Sequence, residues 1–249
     1  MRPVARTLAP AVFSRWRAAG ALAAVRINPF ETCGRDDLAG VMAGAPDIVM
    51  MSKVARPEQV AALDQAIGEH ERAFGLPAGS TEIVPNIETA AGLVRAGAIL
   101  AASPRVTAAL LASEDMAADL GAERSPEGSE LAYARARFLV ECVAAGVVAI
   151  DCPFTYSALA AAQADLVWAR RRGFRAKSVV AFDQVGLVNR LLTPDAGEVA
   201  DARRLVAAFE AARLAGRTCE IDGHLVEVPT VNAARRLIER AEAFAALGR

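Results

Sequence analysis

Short apolar runs that stop at a charged residue recur along this chain, and they constrain its fold more than any other feature. Five stand out: Ala24-Val25-Arg26-Ile27-Asn28, Ile48-Val49-Met50-Met51-Ser52-Lys53, Ile83-Val84-Pro85-Asn86-Ile87-Glu88, Leu110-Leu111-Ala112-Ser113-Glu114-Asp115-Met116 and Val147-Val148-Ala149-Ile150-Asp151. Each has the length of a strand buried on both faces, and helical patterns lie between them. The charged ends fall roughly 27 to 36 residues apart, the span of a βα unit. A sixth strand is expected at Lys177–Phe182. This alternation predicts a parallel sheet covered by helices.

A doubly wound sheet and a (β/α) barrel both fit that order. Charged residues at nearly every strand end favour the barrel, whose site is built at the C-terminal face. No glycine-rich first turn of the dinucleotide type is present. The expected fold is therefore a TIM-type barrel, incomplete with six visible strands, over residues 1–193. Residues 194–249 read differently. A helix over Asp195–Ala215, a hairpin turning at Asp222-Gly223 and an amphipathic helix over Val231–Leu247 make an arm or lid, expected to pack on a neighbouring subunit.

Residues 1–25 carry Arg2, Arg6, Arg15 and Arg17 and no acid, as a transit peptide does. However, Val4, Leu8, Val12 (with Phe13) and Trp16 recur every four residues, which favours a structural helix that packs through this stripe. No apolar run reaches the about 20 residues that span a bilayer. A net charge of −1 gives no reason to expect nucleic acid or an anionic membrane as partner. Four cysteines without Cys-x-x-Cys spacing suit reduced thiols and a cytoplasmic setting. Two histidines leave little room for histidine-based zinc chemistry or a histidine relay.

Among the strand-end residues, Glu88 and Asp115 form the sharpest pair. Carboxylates ending adjacent parallel strands can share a hard cation such as Mg²⁺, or each can cap the helix that follows. Arg26 can anchor a carboxylate or an enolate oxygen, or serve a structural ion pair. Lys53 admits a Schiff base, a substrate contact or a buried ion pair. Asp151 reads as a capping or supporting carboxylate. Glu114 is expected to point away from Asp115, because neighbouring strand residues face opposite sides. Pro85 suits a strand only where its missing N–H is not needed.

Several segments together resemble the citrate lyase β-subunit-like branch of the HpcH/HpaI aldolase superfamily, which includes malyl-CoA and citramalyl-CoA lyases. They are Val25-Arg26-Ile27-Asn28, Asp37-Leu38, Ser52-Lys53-Val54, Ile87-Glu88-Thr89-Ala90, Ser113 through Gly121, Ile150-Asp151 and Gly173-Phe174-Arg175-Ala176-Lys177. The resemblance implies a (β/α)₈ barrel, Mg²⁺ held by Glu88 and Asp115, and Arg26 on the acyl or keto-acid group, with Lys53 beside it. It implies a homo-oligomer, a trimer or hexamer with exchanged arms, in which Glu227 of Val226-Glu227-Val228-Pro229 reaches a neighbour's site in place of the usual Asp. The implied reaction is aldol- or Claisen-type cleavage of a hydroxyacyl thioester such as malyl-CoA, citramalyl-CoA or a citryl thioester. Alternatives are a non-catalytic homologue that binds a keto acid or serves as a subunit, and an acyl-CoA thioesterase.

Three departures qualify the resemblance. Family members begin with two further strands, the second ending in Leu-Glu-Asp, so either the natural chain starts upstream or this is a reduced homologue. Val180-Ala181-Phe182 stands where Ile-His-Pro is usual, although Gln184 is kept. Ser52 replaces a proline before the strand-end lysine.

Overall fold

A computed structural model describes residues 2–246. The chain folds into two compact units, the first ending at Val185 and the second beginning at Gly186.

The first unit opens with α1 (Arg2–Ala18) and then alternates strand and helix. β1 (Ala24–Ile27), α2 (Gly34–Met42), β2 (Ile48–Met51), α3 (Pro57–Phe74) and β3 (Glu82–Ile87) come first. Two short helices, α4 (Ala90–Val94) and α5 (Ala96–Leu100), lead to β4 (Ala108–Leu111) and α6 (Ser113–Leu120). A 3₁₀ turn at Ser129–Leu131 enters α7 (Ala132–Ala145), followed by β5 (Val148–Asp151), α8 (Leu159–Arg172) and β6 (Ala176–Lys177). The six strands pair in parallel in the order β1-β2-β3-β4-β5-β6. A doubly wound sheet reverses direction at a switch point; here the order never reverses. The sequential order is that of a barrel, and among the described residues it stays open, because β1 and β6 do not pair.

Alternation along each strand sends one set of side chains toward the helices. Ile27, Val49, Met51, Ile83, Ile87, Ala109 and Leu111 enter a core with Leu38, Val60, Leu63, Ile67, Met116 and Phe138. The other set, including Arg26, Met50, Asn86 and Leu110, takes the opposite, inner face by strand alternation.

Three expectations are corrected. First, β4 ends at Leu111, so Glu114 and Asp115 lie in the first turn of α6 and not at a strand end. Second, the sixth strand is only Ala176–Lys177; the chain leaves the sheet after Ser178 N donates to Asp151 O at 2.9 Å. No further strand lies beside it among the described residues to hold Val179–Phe182 extended, and Phe182 is 93% exposed. Third, most of the α1 stripe points outward. Val4, Leu8 and Trp16 are exposed, and of the expected stripe Phe13 is the residue that packs, with Ala9, against Ala23 and Val41.

Pro85 sits inside β3, opposite Met51 of β2. On the other side the ladder skips it. Ile83 bridges Val106 and Asn86 pairs with Leu110, which leaves one extra residue on the β4 side. This bulge falls where proline has no N–H to donate.

The second unit contains α9 (Val185–Leu192), whose first residue belongs to the unit before, then α10 (Ala196–Leu214), β7 (Cys219–Ile221), β8 (His224–Val226) and α11 (Val228–Ala246). Asp195 caps α10, accepting from Glu198 N at 2.8 Å. The hairpin turns at Asp222-Gly223, both with positive φ as a two-residue turn of this type requires. Cys219, Val226 and Val231 are buried against Leu205 and Phe209.

Candidate active site

β1 delivers Arg26 and Asn28, the turn after β2 delivers Ser52 and Lys53, the end of β3 delivers Glu88, and the first turn of α6 delivers Asp115. These residues, with Ile27, line one cavity of about 280 Å³. Arg26, Lys53, Glu88 and Asp115, expected from sequence to gather, do so.

Local contacts explain the placement. Asp37, in the first turn of α2, clamps the end of β1. It accepts from Asn28 N at 3.1 Å, from Asn28 Nδ2 at 2.7 Å and from Arg6 Nε at 2.9 Å. The Asn28 and Arg6 donors hold the Asp37 carboxyl below its usual range against the cost of burial. Gly34 is required beside this clamp, since a Cβ there would lie 2.0 Å from Asn28 O. Ser52 Oγ donates to Ile27 O at 3.1 Å and ties the β2 turn to β1. Thr89 caps α4 by accepting from Gly92 N, and Asp119 of α6 accepts from Ala90 N at 2.7 Å. The residue after Glu88 is thus fixed from two helices.

Glu88 is 3% exposed. Burial raises its pKa first, and the nearby Asp115 charge raises it further. The Asn86 amide, the Lys53 backbone N–H and the Arg26 charge oppose the rise without cancelling it. Lys53 has φ of 56°, a left-handed conformation uncommon outside glycine. Its Nζ pairs with Asp115 at 3.5 Å, where both side chains are more than half exposed. The Arg26 guanidinium makes no hydrogen bond among the described residues.

Glu114 does point away from Asp115, but because successive helical residues are turned about 100° apart, not because strand residues alternate. It accepts from Thr155 Oγ1 at 2.7 Å and from Arg124 Nε at 3.2 Å. Asp151 lies on the helix-facing side of β5. Arg135 donates to both its oxygens, at 2.9 and 2.6 Å, and Lys177 Nζ donates to it at 2.8 Å. Asp165 accepts from Arg135 at 2.6 Å and from Lys177 at 2.7 Å, completing a buried quartet. Against the penalty of burial, Asp151 and Asp165 raise the Lys177 pKa, while Lys177 and Arg135 lower that of Asp165. This quartet is a structural lock, in keeping with the supporting role read for Asp151. Asn86, fully buried two residues before Glu88, is a contributor the sequence did not single out. One amide inside an apolar run carries no distinguishing signal.

Glu227 belongs to the second unit. It lies exposed at the head of α11, where its carbonyl accepts from Val231 N at 3.2 Å. The final helix therefore begins at Val228, earlier than the expected Val231.

The donor set fits a hard divalent cation: two carboxylates in one cavity, one of them buried and disfavoured as an isolated anion, with no sulfur or imidazole beside them. No group of three or more His, Cys, Asp or Glu side chains poised for a metal occurs among the described residues. An octahedral ion here would leave positions for water and substrate, as Mg²⁺ commonly does.

Comparison with known proteins gives the family of the chain. The sequence profile of the HpcH/HpaI aldolase/citrate lyase family matches residues 2–181. Citrate lyase subunit beta of Haemophilus influenzae is 34% identical over 223 residues, covering 88% of this chain and 76% of the relative. L-malyl-CoA/beta-methylmalyl-CoA lyase of Cereibacter sphaeroides is 30% identical over 246 residues, covering 89% and 77%. The structure of protein CitE from Mycobacterium tuberculosis in complex with magnesium, acetoacetate and coenzyme A is similar with a TM-score of 0.71. It is 26% identical, and the likeness covers 88% of this chain and 78% of that one. The chain belongs to the HpcH/HpaI aldolase/citrate lyase family and is, as its relatives indicate, an enzyme of the carbon–carbon lyase type.

Proposed function

We propose that the chain is a Mg²⁺-dependent lyase acting on a hydroxyacyl thioester such as malyl-CoA, citramalyl-CoA or a citryl thioester. The observation that carries this reading is the convergence of Arg26, Lys53, Glu88 and Asp115 on one cavity. Glu88 and Asp115 hold the cation, which when bound polarises the substrate oxygens it touches. Arg26, its guanidinium free of hydrogen bonds to the protein, offers its planar donors to a substrate carboxylate or the enolate oxygen. Lys53 adds positive charge at the rim, beside Asp115.

In the cleavage direction a base takes the hydroxyl proton, the carbon–carbon bond breaks, and a carbonyl forms on the departing keto or aldehyde fragment. The electron pair stays on the thioester fragment as an enolate, which is then protonated. Glu227 from a neighbouring copy in a homo-oligomer is the proposed base, acting on the hydroxyl proton through its carboxylate.

The test is cleavage of malyl- and citramalyl-CoA with Mg²⁺, comparing the wild type with Asp115→Ala. The variant is expected to lose at least about 100-fold in kcat/KM, the scale of removing one transition-state electrostatic contact. Unchanged activity would remove Asp115 from the site. Release of free CoA with an intact hydroxy acid would favour a thioesterase. Absence of both cleavage and metal-dependent keto-acid binding would favour a non-catalytic homologue that serves as a subunit.

A further inference from the structure

Asn86 is fully buried, yet neither its side-chain nitrogen nor its side-chain oxygen has a hydrogen-bond partner. Buried amides in folded proteins are almost always paired, so an unpaired one calls for an explanation. The backbone is not the reason, because Asn86 O accepts from Val54 N at 3.1 Å. Its neighbours do not serve the side chain. Leu110, its register partner on β4, is apolar. Ser52, next along β2 after the Met51–Pro85 pair, donates its hydroxyl to Ile27 O and makes no bond to the amide. The polar group left within influence of the amide is the Glu88 carboxylate, on the same side of the chain two residues on.

We infer that Asn86 is a positioning residue for the cation site: its Nδ2 donates to the Glu88 carboxylate and fixes which oxygen of Glu88 faces Asp115 across the cavity. This inference rests on the reading of Glu88 and Asp115 as cation ligands. In the structure the amide stands near Glu88 without a well-formed bond. A cation drawing Glu88 toward Asp115 would set the acceptor lone pair and complete it. Partners that orient a ligand in this way alter metal affinity by roughly 10- to 100-fold.

The experiment is Mn²⁺ titration by calorimetry of the full chain, with the melting temperature of the metal-free protein measured alongside. The variants are Asn86→Leu, similar in size and apolar, and Asn86→Val, a good strand former if the leucine is poorly tolerated. The expected result is Mn²⁺ binding weakened at least about 10-fold, with the metal-free melting temperature unchanged or raised, because an unpaired buried amide has been removed. Retention of Mn²⁺ affinity within about twofold, below the effect of an orienting partner, overturns the inference while leaving the cation site in place. A fall in melting temperature without loss of affinity also overturns it, since Asn86 would then be structural. If the wild type itself binds no Mn²⁺, the assignment of Glu88 and Asp115 fails and the inference falls with it.

Discussion

Lys53 is held with φ of 56°, and its backbone N–H faces Glu88. Non-glycine residues in such conformations cost about 1–3 kcal/mol and persist where the surroundings enforce them. The side chain and the backbone of Lys53 are therefore separable. Lys53→Ala and Lys53→Gly should lower kcat/KM for the thioester alike, since both remove Nζ. Lys53→Gly should be the more stable of the two by about 1 kcal/mol, measured by urea unfolding, because glycine accepts this backbone freely. Equal stabilities would mean the turn is not strained. At this scale the gathering of Arg26, Lys53, Glu88 and Asp115 on one cavity was legible because each follows an apolar run, although Asp151 follows one too and lies in a buried ion quartet instead. Asn86 was not, because its meaning depends on who stands beside it across β2 and β4. Asp37 was legible as part of a family-like segment, but not as the clamp on Asn28, which it makes together with a bond from Arg6 of α1.

Two buried ion clusters hold the elements in place. Glu71 of α3 is 1% exposed and accepts from Arg105 at 2.7 and 2.6 Å, from Gly79 N at 3.0 Å and from Thr81 N at 3.1 Å. It pins α3 to the approaches of β3 and β4. Burial works against its ionised form, and the Arg105 bonds more than offset that, so its pKa lies below the usual carboxylate value. A lowered folded pKa gives stability that is fully present above the unfolded value and is lost as pH falls through the folded one. Glu71→Gln should therefore melt lower than the wild type near neutrality, with the difference shrinking as the pH is taken below about 4. A difference independent of pH would contradict this account. In the second cluster, Asp151→Asn leaves Arg135 and Lys177 buried with one acid between them. A loss of about 3–5 kcal/mol by urea unfolding is expected, with activity per folded molecule largely retained. A selective loss of activity would instead place Asp151 in the chemistry.

Element boundaries were less legible than element identity. The run through Ser113-Glu114-Asp115 continues an apolar strand in sequence, but α6 begins at Ser113 and carries the two acids to the positive end of its dipole. Val179 to Phe182 has strand composition with no neighbour to pair with, so β6 stops at Lys177. The α1 stripe was right at Phe13 and wrong at Val4, Leu8 and Trp16, because Ala9 and Phe13 are the residues that meet Ala23 and Val41.

Across the whole molecule, the sequential strand order was legible from the βα alternation, whereas closure depends on long-range pairing that no local pattern encodes. The six-stranded sheet ends in β1 and β6, both with unpaired edges among the described residues. Such edges are a liability unless covered. The role proposed for Glu227 also needs a second copy. Mixing Asp115→Ala chains with Glu227→Gln chains should restore activity that neither has alone, because some sites then combine an intact Asp115 with an intact Glu227. Light scattering should show a homo-oligomer. No recovery from subunits shown to exchange would place the base elsewhere.

Metal-dependent carbon–carbon cleavage in the cavity of Arg26, Lys53, Glu88 and Asp115 is tested most directly by product analysis. Purified protein would be treated with a chelator and then given malyl-CoA with and without Mg²⁺. Acetyl-CoA and glyoxylate are expected only when Mg²⁺ is present. Free CoA with malate, or cleavage that persists without the metal, would contradict that chemistry.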